Sequence, residues 1–314
     1  MLRVIARGLL SAIPVLFLVS LITFGLMRFI PGDPSAAIAG LAATAQQIEA
    51  IRKDLGLDQP ILTQLLRWYA GLLRGDLGRS ILMGKSVLEV TFERLPITLA
   101  LSAYALAITL VFGLLSGILA ALRQNTWVDQ AAMMFSMLGI SVPNFFLGLL
   151  MIILFSVHLG WLPTGGYIPF TQDPWGWLRT STMPAISLAL LQMGLLARIT
   201  RSTMLEVLRQ DYVRTARAKG LPERTVVMKH ALANALIPIT TVVGIIVSLL
   251  VSGAVVTETL FSIPGMGQLL TSAVLNRDYP MVQGALLLVT AFLVMINILV
   301  DICYALLDPR VRYE

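Results

Sequence analysis

Charge is scarce in this chain. Asp, Glu, Lys and Arg make up only 13% of its 314 residues, against about 25% in an ordinary soluble domain. Cysteine is scarcer still. Cys303 is the single one, which excludes an internal disulfide and any cysteine-cluster metal site. The two histidines, His158 and His230, stand far apart and read as boundary or packing residues. No low-complexity tract or short-period repeat is present. A stretch that imitates a phosphate-binding loop, Gly78-Arg-Ser-Ile-Leu-Met-Gly84-Lys-Ser86, has one residue too many between its glycines and no β-run before it. Nucleotide hydrolysis by that route is therefore not expected.

The missing charge is missing in blocks. Uncharged runs of 20 residues separate Arg7 from Arg28, 28 separate Arg94 from Arg123, and 28 separate Asp129 from His158. Runs of 18 lie between Arg179 and Arg198 and of 22 between Asp278 and Asp301, while Lys229 to Glu258 encloses 28 residues that include only His230. An apolar helix needs roughly 20 residues to cross a bilayer, and 18 or more make a candidate. Six spans are expected, near 9–30, 96–122, 132–157, 183–200, 236–257 and 283–306. The first resembles a signal peptide, with Arg3 and Arg7 before it and Ser35-Ala36-Ala37 after it. Its apolar run is too long for that, and a retained helix is expected. The fold class is an all-α integral membrane protein.

The net charge of +6 does not point to nucleic acid, because of where the charge sits. Segment 198–236 holds eight basic residues against three acids. Arg3, Arg7, Arg310 and Arg312 flank the outermost spans, whereas loops 158–182 and 258–282 have one basic residue each, Arg179 and Arg277. Lys and Arg collect on the cytoplasmic side of short loops. Both termini and 198–236 are thus expected in the cytoplasm. Segment 31–95, with seven basic and seven acidic residues, is expected outside. The domain division that follows is 1–30, an extracytoplasmic helical segment 31–95, and a five-helix core 96–314 carrying the cytoplasmic loop 198–236.

Within 31–95, Thr44 and Gln47 have capping-box spacing. Ile48, Ile51 and Leu55 follow at helical spacing, and Gly56 suits a helix stop. A second amphipathic helix runs from Pro60, with Leu62, Leu65, Leu66, Tyr69, Leu72 and Leu73 on one side. A third, short helix is expected from Ser86. These helices form either a small ordered external subdomain or elements lying in the outer interface. Gly113 and Gly117 allow close helix approach, within the subunit or to a partner. Arg28 can snorkel, and Asp301, inside the last span, is read as pairing with a basic loop residue. Asn144, Gln192 and Asn297 are polar residues inside spans, candidates for a solute path or for helix packing.

The cytoplasmic stretch Asp211-Tyr-Val-Arg-Thr-Ala-Arg-Ala-Lys-Gly220-Leu-Pro-Glu-Arg carries helix start and stop signals. Asp211 can cap a helix, Ala216 and Ala218 make it slim, and Gly220 ends it in a left-handed turn. Pro222 and Glu223 suit the first turn of the next helix. A short basic helix between two spans is shaped to dock in a groove of a cytoplasmic partner, the alternative being a solvated basic loop that only satisfies the charge asymmetry. Ala216 is expected to face that groove, and Arg201 to sit on a more solvated part of the loop.

Thr215-Ala-Arg-Ala-Lys-Gly220, with Pro238 downstream, resembles the coupling signature of ABC importer permeases, Glu-Ala-Ala-x-x-x-Gly followed by Leu-Pro. Aligned on Gly220, Arg214 and Thr215 replace the first two residues, and Ala216 and Gly220 match. That variant resembles the dipeptide, oligopeptide, glutathione and nickel branch. So do Pro31-Gly-Asp-Pro34, Leu55-Gly-Leu-Asp-Gln-Pro60, Gly75-Asp-Leu-Gly78, Thr200-Arg-Ser-Thr-Met-Leu-Glu206, Pro264-Gly-Met-Gly267, Arg277-Asp-Tyr-Pro280 and Asp308-Pro-Arg-Val-Arg-Tyr313.

The resemblance implies a type I permease of six spans in a bacterial inner membrane. It implies a second, similar permease subunit (a heterodimer), two cytoplasmic ATPases, an extracytoplasmic solute-binding protein and no cofactor of its own. Coupling to the ATPases would fall to Asp211, Tyr212, Arg214, Thr215, Ala216, Ala218, Gly220 and Leu221. The expected solute is a di- or oligopeptide or a small peptide such as glutathione, the last suggested by the short loop 158–182; chelated nickel is the alternative. An ion-driven secondary transporter is the rival class, disfavoured because the span middles hold almost no ionisable groups.

Overall fold

The computed structural model describes residues 2–29, 35, 43–54 and 56–307. The motifs Pro31-Gly-Asp-Pro34 and Asp308–Tyr313, with Ala36, Ala37 and Leu55, lie outside the described residues. So do the side chains of Arg28, Ile51, Asp301 and Cys303. Every regular element among the described residues is a helix, apart from an isolated bridge between Arg79 and Ser86. The helices are α1 (Leu2–Phe29), α2 (Ala45–Asp54), α3 (Ile61–Leu73), α4 (Val87–Leu122), α5 (Trp127–Ser141) and α6 (Asn144–His158). They continue with α7 (Pro174–Leu208), α8 (Asp211–Ala218), α9 (Glu223–Leu260), α10 (Met266–Leu275) and α11 (Tyr279–Leu307). Both α6 and α9 contain a π-helical turn, Ile152–His158 and Val226–Leu232 respectively.

Among the described residues five helices are long and apolar enough to cross a membrane, α1, α4, α7, α9 and α11, and a sixth crossing is made if α5 and α6 count together. The span expected near 132–157 is broken in its middle. The two helices meet at a 101° bend. The cause is local: Pro143 has no amide hydrogen to give, and it pushes Val142 out of the helical region, to φ −90 and ψ 122. The expected separate helix from Ser86 is also corrected. Val87 opens α4, which runs without interruption into the second span.

The chain divides into two compact units. Unit 1 comprises Met1–Ile5, Thr98–Ile263 and Ile296–Glu314. Its centre is α7, with 61% of its apolar window buried against 22–33% for the other long helices. Helices α5, α6 and α9 pack around it. Close approach requires small residues. A Cβ on Gly117 would stand 2.6 Å from the Ala197 carbonyl oxygen, and one on Gly194 would stand 2.5 Å from that of Ser136. A Cβ on Gly113 would meet Leu196 at 3.0 Å. The Gly113/Gly117 pair therefore packs α4 on α7 within the subunit.

Unit 2 comprises Ala6–Ile97 and Pro264–Met295. The capping box forms as expected, with the Thr44 amide donating to Gln47 Oε1 at 2.8 Å and the Gln47 amide to Thr44 Oγ1 at 3.3 Å. Gly56, at φ +65, ends the turn after α2. Helix α3 packs on α1 through Tyr69, stacked on Phe17 and hydrogen-bonded to Ser20, and through Trp68, stacked on Phe24. These contacts fall on the apolar part of α1 between Gly8 and Gly25, so α3 packs along that helix. Its residues Ile61, Leu62, Leu66 and Leu73 remain exposed.

The false phosphate loop is a closed turn. Its cradle is filled by a carboxylate: Asp278, itself buried, accepts from Ser80 Oγ at 2.5 Å and from the amides of Ile81 and Leu82 at 3.2 and 3.3 Å. Lys85 is held by Glu93 at 3.0 Å and Glu89 at 3.6 Å, and the Glu93 hydrogen bond raises its pKa.

Candidate functional site

Helix α7 continues to Leu208, and two residues later the chain enters α8. The position of Asp211 corrects one expectation. Gln210 occupies the capping position and makes no side-chain cap, while Asp211 begins the helix and pairs at 3.4 Å with Arg214. The Thr215 hydroxyl donates back to the Asp211 carbonyl at 2.9 Å. The end of the helix is as expected. Gly220 adopts φ +75, its amide donates to Arg217 O at 2.9 Å, and the Leu221 amide reaches Ala216 O at 3.4 Å. That six-to-one and five-to-two pairing satisfies the last carbonyls and suits glycine at the turn. Arg217 then closes the loop with a two-pronged bond to Glu223, at 2.7 and 3.1 Å.

What fastens α8 is its apolar side. Val213 and Ala216 are buried against Val226, with Val207 and Leu208 packed around them. Full burial of a side chain like Val213 contributes about 1.5–3 kcal/mol. Ala216 therefore faces its own chain and not a partner groove, which corrects the second expectation. A spacing of three places it on the same face as Val213, and the sequence does not say which face turns inward. Tyr212, Arg214, Thr215, Ala218, Gly220 and Leu221 are exposed. Val226 opens a π-helical turn that packs on α8 and on the end of α7, and such turns recur at functional positions.

Arg201 corrects the third expectation. Its side chain is only 25% exposed and makes two hydrogen bonds to Asp129, from Nε at 2.5 Å and from Nη2 at 2.6 Å. Asp129 also accepts from the Asn125 amide, holding Asn125 at φ 62. The pair ties the start of α5 to α7, two turns above α8. Sequence reasoning passed over it because an acid 72 positions away gives no local signal. Glu258 was likewise read only as a boundary, yet it is fully buried and accepts from Thr98 Oγ1 at 2.6 Å.

The three polar residues inside spans have separate surroundings. Asn144 sits at the α5–α6 bend and accepts from the Phe145 amide at 2.8 Å. Asn297 on α11 accepts from Ser248 on α9 at 2.6 Å. Gln192 on α7 is 6% exposed and leaves its Oε1 without a partner. No hydrogen bond joins any two of the three among the described residues.

Residues 113–313 match the family model described as the inner membrane component of binding-protein-dependent transport systems, and residues 1–102 match its N-terminal companion. A Brucella abortus (strain 2308) protein named for a peptide transport system permease is 49% identical over the whole of both chains. The glutathione transport system permease GsiC of Escherichia coli K12 is 40% identical, again over the whole of both. Among solved structures, the inward-facing MetNI methionine ABC transporter aligns with a TM-score of 0.54, covering 71% of this chain and 96% of that one, at 18% identity. That likeness concerns the fold alone. With both family models matched along its length, this chain belongs to the permease family of binding-protein-dependent, ATP-driven importers.

Proposed function

We propose that the chain forms half of the translocation path of an importer for small peptides, with α8 as the element that receives motion from a cytoplasmic ATPase. The observation that carries the reading is the construction of α8. It is anchored on one face by Val213 and Ala216, closed at its end by Gly220, and exposed on the other face. A helix so fixed transmits a push to α7 and α9 instead of absorbing it. The names of the relatives at 49% and 40% identity support a peptide or glutathione as the solute. Family membership sets the ion-driven transporter aside.

On this reading 198–236 and both termini are cytoplasmic, 31–95 is extracytoplasmic, and the membrane is the bacterial inner membrane. The partners are a second permease subunit of the same family, two ATPases and a solute-binding protein. Hydrolysis belongs to the ATPases. Their ATP-bound state favours the outward-open arrangement, and that difference in affinity drives alternating access. Gln192 is the strongest candidate for the solute path. A buried carbonyl without a partner costs about 1–3 kcal/mol, a cost that a solute amide would relieve.

The test is uptake by the reconstituted complex of a labelled dipeptide, a longer peptide, glutathione and chelated nickel. ATP-dependent uptake of a peptide is the expected result. Uptake of nickel alone overturns the solute. A cytoplasm-only reporter active after Gly56 and silent after Gly220 overturns the orientation.

A further inference from the structure

Unit 2 contains a cavity of about 460 Å³ between α1, α3, the turn after α3 and the start of α11. Its lining includes Phe24, Leu57, Arg67, Trp68, Asp76 and Gln283. The chemistry of these groups is mixed in a specific way. Arg67 makes no hydrogen bond or ion pair among the described residues, and its Nη1 lies so near Gly56 that a Cβ there would meet it at 3.3 Å. The indole N–H of Trp68 is buried and has no partner. Asp76 spends one oxygen on the Gly78 amide, at 2.8 Å. The cavity thus offers a free guanidinium and a free N–H on one side of its chemistry and a carboxylate on the other.

Its depth narrows the choice of ligand. Phe24 lies about one turn before Arg28, where the uncharged run of α1 ends, and Trp and Tyr gather at the headgroup-level ends of such runs. The exposed apolar residues of α3, Ile61, Leu62, Leu66 and Leu73, and those of α1, Leu18, Leu21 and Ile22, are in the same unit. We propose that this cavity holds the headgroup of a zwitterionic aminophospholipid, with phosphate on Arg67 and Trp68, ammonium on Asp76, and acyl chains along the exposed residues of α1 and α3. Its volume falls in the range of ordinary small-molecule sites, about 300–1,000 Å³, which are apolar with a few placed polar groups. The apolar surround favours a lipid over a soluble peptide, which carries the same two charges. The proposal is independent of which solute is transported.

The experiment is mass spectrometry of lipid retained by the full-length chain, purified with its companion subunits and delipidated in steps. Probe lipids are phosphatidylethanolamine and phosphatidylglycerol, with a dipeptide as competitor. Phosphatidylethanolamine should be the last lipid retained, in stoichiometric amount. Arg67→Ala should lower its retention about tenfold or more, the scale of one lost charge-assisted hydrogen bond, and Arg67→Lys should restore part of it. Asp76→Asn should abolish the preference for phosphatidylethanolamine over phosphatidylglycerol. Arg67 is exposed and unpaired, so thermal stability in detergent should stay unchanged in its variants. Retention that ignores Arg67→Ala, or equal retention of both lipids by the wild type, overturns the proposal. Displacement of the lipid by the dipeptide overturns it in favour of a solute site.

Discussion

Arg201 on α7 grips the buried carboxylate of Asp129 on α5 through Nε and Nη2, at 2.5 and 2.6 Å. Breaking a buried pair by removing one partner leaves the other charge stranded, at a cost of about 3–5 kcal/mol. Arg201→Ala should therefore lower the unfolding temperature sharply, with Asp129→Ala close behind. The double variant Asp129→Ala/Arg201→Ala should lose less than the sum. Thermal melts of the four proteins as a cycle give the coupling, and additivity would show that the pair has no structural role.

Helix α8 has one inward and one outward face, and the two should fail differently. Ala216→Leu overfills the cluster with Val213 and Val226 and should cost about 1–3 kcal/mol of stability. Tyr212→Ala and Leu221→Ala touch only the exposed face. They should leave the melt unchanged and weaken copurification of the ATPase, or raise ATP hydrolysis without uptake. If the exposed-face variants bind ATPase and transport normally, α8 is not the coupling element.

Gly220 presents a backbone test free of packing. A Cβ there meets nothing within 4 Å, but φ is +75. Gly220→Ala should cost about 1 kcal/mol, Gly220→Asn less, and Gly220→Val most. The order Val, Ala, Asn in loss of ATPase attachment would tie function to the left-handed turn. An equal effect of all three would tie it to side-chain bulk.

Asp278 and Lys85 separate a structural loop from a nucleotide site. Asp278→Ala removes the acceptor for Ser80 Oγ and two amides and should expose 78–86 to proteolysis. Lys85→Ala should leave that loop intact, because its salt bridges to Glu89 and Glu93 are half exposed and such pairs contribute little. ATP hydrolysis by the assembled complex should be the same in Lys85→Ala as in the wild type. A collapse of turnover with normal assembly would restore the phosphate-loop reading.

Membrane residence, the number of apolar stretches and the stop of α8 follow from sequence alone. The reason is that each depends on neighbours in the chain: twenty uncharged residues, a glycine at a helix end, a threonine three residues before a glutamine. The bend at Pro143 is local too, since proline lacks the amide hydrogen and pushes Val142 out of the helical region. Which side of α8 turns inward, and that Arg201 meets Asp129, are long-range facts. Val213 and Ala216 are buried only because Val226 arrives from the next helix, and Asp278 fills the turn at Ser80 from 198 positions away. The same holds for the cavity beside Arg67. Its cation, its indole and its carboxylate come from α3 and the turn after it, but only packing on α1 and the start of α11 closes them into one cavity. Helical periodicity lays out residues on a cylinder, and tertiary packing alone decides which way the cylinder faces.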